Sequence, residues 1–271
     1  MTDAIFTRDG DRFVPTDLAG SPWGPGLLHG GPPPGLLARA IELAAVSADL
    51  HVARLTIDLL RPVPKQPLSV QTRVVRDGRR IEVLEASLLA DGLEVSRASA
   101  LLLRQSEVAL PPSALPLAAY LEGPENLPAT GLGVVSRGEE QAAFRGLPGF
   151  HTTVEVRRVA GAPGTGKGTA WIRIPVPFVE GEETSPLVRV AATSDFGNAL
   201  GHIRPSDEVG FINADISLYL HRLPGGEWIC LETSGTVEPH GLGLVESVVH
   251  DVHGPLGRVV QALIVNRRHR S

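Results

Sequence analysis

At 271 residues, 42% hydrophobic and 20% charged, the chain is long enough to bury a full core, and its composition excludes a disordered or membrane-embedded protein. A formal net charge of -5 gives no footprint for nucleic acid, and the single cysteine, Cys230, excludes an internal disulfide framework or a cysteine metal cluster. No apolar run reaches bilayer length and the early charges of "MTDAIFTRDGDRF" do not suit a secretory signal, so a cytoplasmic location without membrane insertion is expected.

In chain order, a short hairpin "AIFTRDGDRFVP" is followed by "PWGPGLLHGG" and a helical run, "PPGLLARAIELAAVSA". Leu36, Leu37, Ala40, Ile41 and Ala44 recur there at helical spacing. Pro33 and Pro34 stand near the start, where a missing amide costs the helix little. Four strands are expected next: "VARLTIDLLRPV", "LSVQTRVVRD", "RIEVLEASLLA" and "LEVSRASALLLR". The Pro-rich interval 105–145 then reads as a linker, dividing the chain into units at 1–104 and 146–271.

The second unit opens on "GAPGTGKGTA", in which Gly161, Gly164, Gly166, Lys167 and Thr169 imitate the phosphate-binding loop of nucleotide kinases. Such a loop must leave a buried strand and open into a helix whose first amides cradle the phosphates. Here "FHTTVEVRRVA" before it is half polar, and "AWIRIPVPFV" after it carries Pro175 and Pro177, which forbid a helix interior. The pattern is strand, Gly-rich loop, strand, and the expectation is a β-hairpin.

A helical run "SPLVRVAATSDFGNALG" follows, then strands "GFINADISLYLHR", "EWICLETSGTVEP", "GLGLVESVVHDV" and "GRVVQALIVNRR". Placing Arg61 over Arg222 superposes Ala53, Leu55, Ile57 and Leu59 on Ala214, Ile216, Leu218 and Leu220. The stretches Arg61 to Ser99 and Arg222 to Gln261 are nearly equal in length. The chain is therefore read as an internal duplication, each copy an antiparallel sheet wrapped around one helix.

That duplicated pattern, with "LLHGG" opening the first helix, resembles the double-hotdog acyl-CoA thioesterases of the thioesterase II type. "SDFGNALG", "FINADISLYLHRLPGGEW" and "GLGLVESVVHDVHGPLGRVVQAL" occur in that family's order, and the resemblance runs from about residue 20 to 268. It implies an α+β fold of tandem hotdogs combined as an intramolecular pseudo-dimer, hydrolysis of an acyl-CoA to acid and CoA, no cofactor and no metal. It also favours further association, a homodimer first. The family's water-holding Asp, Thr or Asn, and Gln fall on Asp195, Asn213 and Gln261. The chemistry fits: a thioester carbonyl is electrophilic enough for a positioned water that a carboxylate deprotonates and two amides orient. Backbone donors for the oxyanion are expected from the Gly-rich helix start, at Gly30 and Gly31.

Two other functions use the same scaffold. A hotdog enoyl-CoA hydratase or dehydratase would pair Asp195 with a histidine such as His202, although their spacing differs from that class. A non-catalytic acyl-CoA binder would keep the pocket without turnover. His29 is read as a packing or capping residue. His250 and His253 in "HDVH" are assigned to an exposed β-turn rather than a metal site.

Overall fold

The computed structural model describes residues 3–47, 49–114, 118–132, 147–203 and 209–267. The first half contains β1 (Phe6–Asp9), β2 (Arg12–Pro15), β3 (Gly20–Ser21), β4 (Gly24–Leu28), α1 (Pro32–Ala44), β5 (Leu50–Asp58), β6 (Leu68–Arg76), β7 (Ile81–Ala90) and β8 (Leu93–Arg104). The second contains α2 (Phe150–Thr153), β9 (Glu155–Gly161), β10 (Lys167–Arg173), α3 (Pro186–Ser194), α4 (Phe196–Leu200) and β11 (Val209–Asn213). It ends with β12 (Asp215–Leu220), β13 (Ile229–Val237), β14 (Leu242–Asp251) and β15 (Gly254–Arg267).

Period-two patterning builds the sheet. In β7, Leu84, Ala86, Leu88 and Ala90 are buried while the intervening residues are half-exposed. One continuous sheet results, in the order β1-β2-β6-β7-β8-β5-β12-β15-β14-β13-β10-β9, with β11 also paired to β15. Helix α1 lies on β5 to β8, α3 and α4 lie on the second half's strands, and α1 packs against α3 in the middle. This is the tandem hotdog arrangement.

The duplication has a structural axis. Strands β5 and β12 pair antiparallel with Thr56 opposite Ser217, the same two residues that the Arg61/Arg222 alignment makes equivalent. The local pseudo-twofold therefore passes between them. Both copies also carry an irregularity at one repeat position. The β5–β8 register shifts between Val52 and Arg54, and β11 gives way to β12 at Ala214, the counterpart of Ala53. A bulge changes which residues face inward. Leu50 and Val52 are buried before it in β5, and Leu55 and Ile57 after it.

The glycine loop joins β9 to β10, which pair antiparallel, and no helix follows it. Gly161, Gly164 and Gly166 have φ of 82°, 84° and 78°, a left-handed backbone that glycine adopts without penalty. Gly166 accepts from the Gly235 amide and donates to the His202 carbonyl. The Gly166 amide is thus committed to the fold rather than free to cradle a phosphate.

Part of the interval between the halves lies on the second sheet. Trp171 Nε1 donates to the Glu122 carbonyl at 2.8 Å, the Thr130 amide donates to Val156 O at 2.9 Å, and Tyr120 Oη donates to Glu232 at 2.7 Å. One expectation needs correcting here. Val252 and His253 do form the exposed turn between β14 and β15, but His250 and Asp251 are buried. Asp251 holds Arg222 through both carboxylate oxygens, and His250 packs edge-on against Tyr120. Among the described residues no group of three or more potential ligands could hold a metal ion, and no helix is long and apolar enough to cross a membrane.

Candidate active site

The long helical run of the second half is not one helix. Thr193 Oγ1 donates to the Arg189 carbonyl at 2.8 Å and Ser194 Oγ to the Ala191 carbonyl at 2.7 Å. These hydroxyls compete for carbonyls of the helical ladder, and α3 ends at Ser194. Asp195 stands at the break between α3 and α4, its side chain 14% exposed. Burial pushes its carboxyl up to about 6, against the opposing pull of a hydrogen bond from Asn213.

That bond runs from Asn213 Nδ2 to Asp195 Oδ1 at 2.8 Å. The break at Ala214 explains how Asn213 reaches it. Ile216, Leu218 and Leu220 point inward after the break, so an unbroken strand would put Asn213 on the outer face. Instead Phe211 is buried before the break and Asn213 shares its face. Asn213 Oδ1 is buried and has no protein partner among the described residues.

Gln261 enters from β15, fully buried opposite Val245 of β14. Both its amide atoms are buried and have no partner among the described residues. Buried amides are rarely left so, which makes Gln261 a candidate for binding a small polar group such as water. Gln261 lies over α4: a Cβ added at Gly197 would be 2.6 Å from its Oε1. Asn198 of α4 also has a buried, unpartnered Oδ1, a polar group of the same region that the sequence reading did not single out.

The first half supplies the opposite wall. A Cβ at Gly30 would lie 2.6 Å from Asp195 Oδ2, so only glycine lets the backbone close on this carboxylate. The helix start is poorer in donors than expected. Pro32, Pro33 and Pro34 fill the first turn of α1 and carry no N–H, and the Gly31 amide donates to His29 Nδ1 at 3.1 Å. Of the two glycines, Gly30 is the one whose amide has no protein acceptor among the described residues.

His29, read from sequence as packing or capping, does cap Gly31, but it also meets Asp195. Its Nδ1 is 3.3 Å from Asp195 Oδ2, and its ring packs beside the stacked pair Phe196 and Phe150 at centroid distances of 4.9 and 5.5 Å. Burial, reinforced by the neighbouring His151, pushes its pKa down to about 3, so the ring is neutral at physiological pH. His202 instead packs its ring against Phe211 at 4.7 Å.

Only one of the two pseudo-symmetric positions has this chemistry. Counted from the first residues of their helices, Pro186 and Pro32, Asp195 corresponds to Ile41. The pairing registers place Val52 at the position of Asn213 and Ala100 at that of Gln261. All three counterparts are buried and apolar.

The tandem hotdog and the Asp195–Asn213 pair beside a glycine turn describe the fold and the candidate site, and the sequence comparison supplies the class, acyl-CoA thioester hydrolases. The sequence matches the acyl-CoA thioesterase N-terminal domain over residues 19–103 and the acyl-CoA thioesterase C-terminal domain over residues 124–265. The chain belongs to the acyl-CoA thioesterase family, and its activity is acyl-CoA thioester hydrolysis. No curated protein matches it at a significant level. Solved structures similar in fold include an acyl-CoA thioesterase II, TesB2, from Mycobacterium marinum, with 14% identity and a TM-score of 0.65 over 98% of this chain and 95% of that one. Another is the tesB protein of Mycobacterium avium subspecies paratuberculosis, with 17% identity and a TM-score of 0.66, covering 96% of this chain and 95% of that one. A Thermobifida fusca structure titled as a thioesterase II has 17% identity and a TM-score of 0.68 over the full length of both chains.

Proposed function

We propose that the protein hydrolyses fatty or related acyl-CoA thioesters with water deprotonated by Asp195 and oriented by Asn213 and Gln261. The observation that carries this reading is the joint geometry of Asp195, fixed by Asn213, and the unpartnered amide of Gln261. Asp195 takes one proton from water as the water oxygen bonds to the thioester carbonyl carbon. The carbonyl electrons move to oxygen, where the Gly30 amide is the donor positioned to meet them. Collapse of that intermediate breaks the C–S bond, and the proton on Asp195 passes to the departing thiolate. The products are a carboxylic acid and CoA, and Asp195 is again ionised. Gly30 comes from the first half and the other three from the second, so the units expected at 1–104 and 146–271 work as one. We further infer a cytoplasmic setting and association into a homodimer, to be tested by fractionation and light scattering.

Thiol release measured over short, medium, long and aromatic acyl-CoAs tests the reading, with crotonyl-CoA followed in parallel for loss of enoyl absorbance. Hydrolysis of at least one thioester is expected. Enoyl consumption without thiol release would favour the hydratase, and tight binding without turnover would favour the binder. The pH profile is a separate prediction. Asp195 acts as a base only when ionised, so kcat is expected to fall as pH drops through about 6 and to level off above it. A limb near 4, the range of an ordinary exposed carboxylate, would contradict the buried base.

A further inference from the structure

We propose that His29 is a positioning residue for the base, its Nδ1 accepting a hydrogen bond from Oδ2 once Asp195 has taken a proton from water, with the proton staying on Asp195 until it passes to the thiolate. The inference rests on the hydrolytic reading above. The Gly31 amide donates to Nδ1, so Nδ1 carries a lone pair and the ring proton of neutral His29 resides on Nε2. The same Nδ1 is 3.3 Å from Asp195 Oδ2. When Asp195 is ionised, two lone-pair atoms face each other with no hydrogen between them. When Oδ2 is protonated, its O–H shares the Nδ1 lone pair with the Gly31 amide in a three-centre bond. The contact therefore favours the acid form of Asp195, the form created as water is attacked, and strengthens the base.

The opposite assignment, an imidazolium holding a carboxylate, conflicts with the surroundings. The Phe196 and Phe150 rings pack against His29, and the stacked ring 6.3 Å away belongs to His151, a second histidine that disfavours added positive charge. His151 on α2 and Asp195 at the α3–α4 break are the titratable groups facing His29. The other groups in contact, the Phe150 and Phe196 rings and the Gly31 amide, are uncharged.

The test compares His29→Asn, whose Oδ1 can stand in place of Nδ1, with His29→Gln, whose amide reaches toward Nε2, and with His29→Phe. Two readouts are taken: the Asp195 carboxyl titration by 13C NMR, assigned through its loss in Asp195→Asn, and the pH dependence of kcat and KM. His29→Phe and His29→Gln are expected to move the Asp195 midpoint down by about one pH unit. They are also expected to lower plateau kcat roughly tenfold or more, with little change in KM. His29→Asn is expected to stay near wild type in both. Should His29→Phe not fold, His29→Gln against His29→Asn makes the same comparison. An unmoved midpoint in folded His29→Gln would reduce His29 to packing, and an upward move would make it the carboxylate's cationic partner; either overturns the proposal. The NMR titration needs no turnover. If wild type released no thiol, hydrolysis would fail as a reading while the His29–Asp195 bond was still judged by itself.

Discussion

Asp195→Asn is expected to lower kcat for thioester hydrolysis by about two to four orders of magnitude, the range that general-base assistance supplies. Asparagine nearly matches aspartate in volume but takes up no proton from water. The variant should nevertheless fold, and the sign of the titration says why. Burial raises the Asp195 pKa to about 6 in the folded protein, above the ordinary value of 3.8. Stability contributed by protonated Asp195 is fully present below the unfolded value and is lost as pH rises through about 6. At pH 8 the ionised carboxylate therefore costs the folded state something on the order of 1–3 kcal/mol. Asparagine removes that cost, while its amide donor must find a new arrangement beside Asn213. Asp195→Asn should consequently be no less heat-stable than wild type at pH 8, as read by thermal unfolding beside thiol release. A variant that keeps more than a tenth of wild-type kcat would remove Asp195 from the role of base.

Gly31→Ala is expected to produce the second large effect, on stability and activity together. A Cβ there would overlap the Ala192 carbonyl oxygen of α3 and stand 2.6 Å from Phe150 Cε1. A helix backbone carbonyl cannot rotate aside as a side chain can, so α1 and α3 must separate. Overpacking of this kind costs about 1–3 kcal/mol, or roughly 2–4 °C of Tm per kcal/mol in a chain of this size. The separation also carries His29 and Gly30 away from Asp195, so kcat should fall as well. Gly26→Ala is the control: a Cβ there meets nothing within 4 Å, and its effect should stay within about 0.5 kcal/mol. Equal Tm for the two variants would show that the helix contact at Gly31 is not tight.

Much of this was legible in the sequence because the fold is duplicated and its strands alternate. The Arg61/Arg222 alignment superposes apolar positions, and the structure puts its equivalent residues Thr56 and Ser217 side by side at the pseudo-axis. The glycine loop could be discarded as a phosphate site because Pro175 and Pro177 leave no helix after it. Three features were harder to see. The alternation in "LHVARLTI" and "FINADISL" slips phase at Ala53 and Ala214, and such a slip is easily passed over, yet it turns Asn213 inward. The helix in "AATSDFGN" breaks because Thr193 and Ser194 bond backward, a choice that sequence spacing leaves open. His29 and Asp195 lie in opposite halves, so no local pattern pairs them. The prolines of "HGGPPPG" are harmless to α1 as a helix, but they leave its first turn, beside the candidate site, without three N–H donors.

Water, and not Asp195, is expected to attack the thioester. A single turnover in H2 18O with enzyme in excess over acyl-CoA tests it directly, by mass analysis of the released acid and of the peptide containing Asp195. Direct attack by water places one 18O in the acid and none in Asp195. Label in the Asp195 carboxyl, with an unlabelled acid from the first turnover, would mean that the carboxylate itself had bonded to the acyl group and that water had attacked only afterwards.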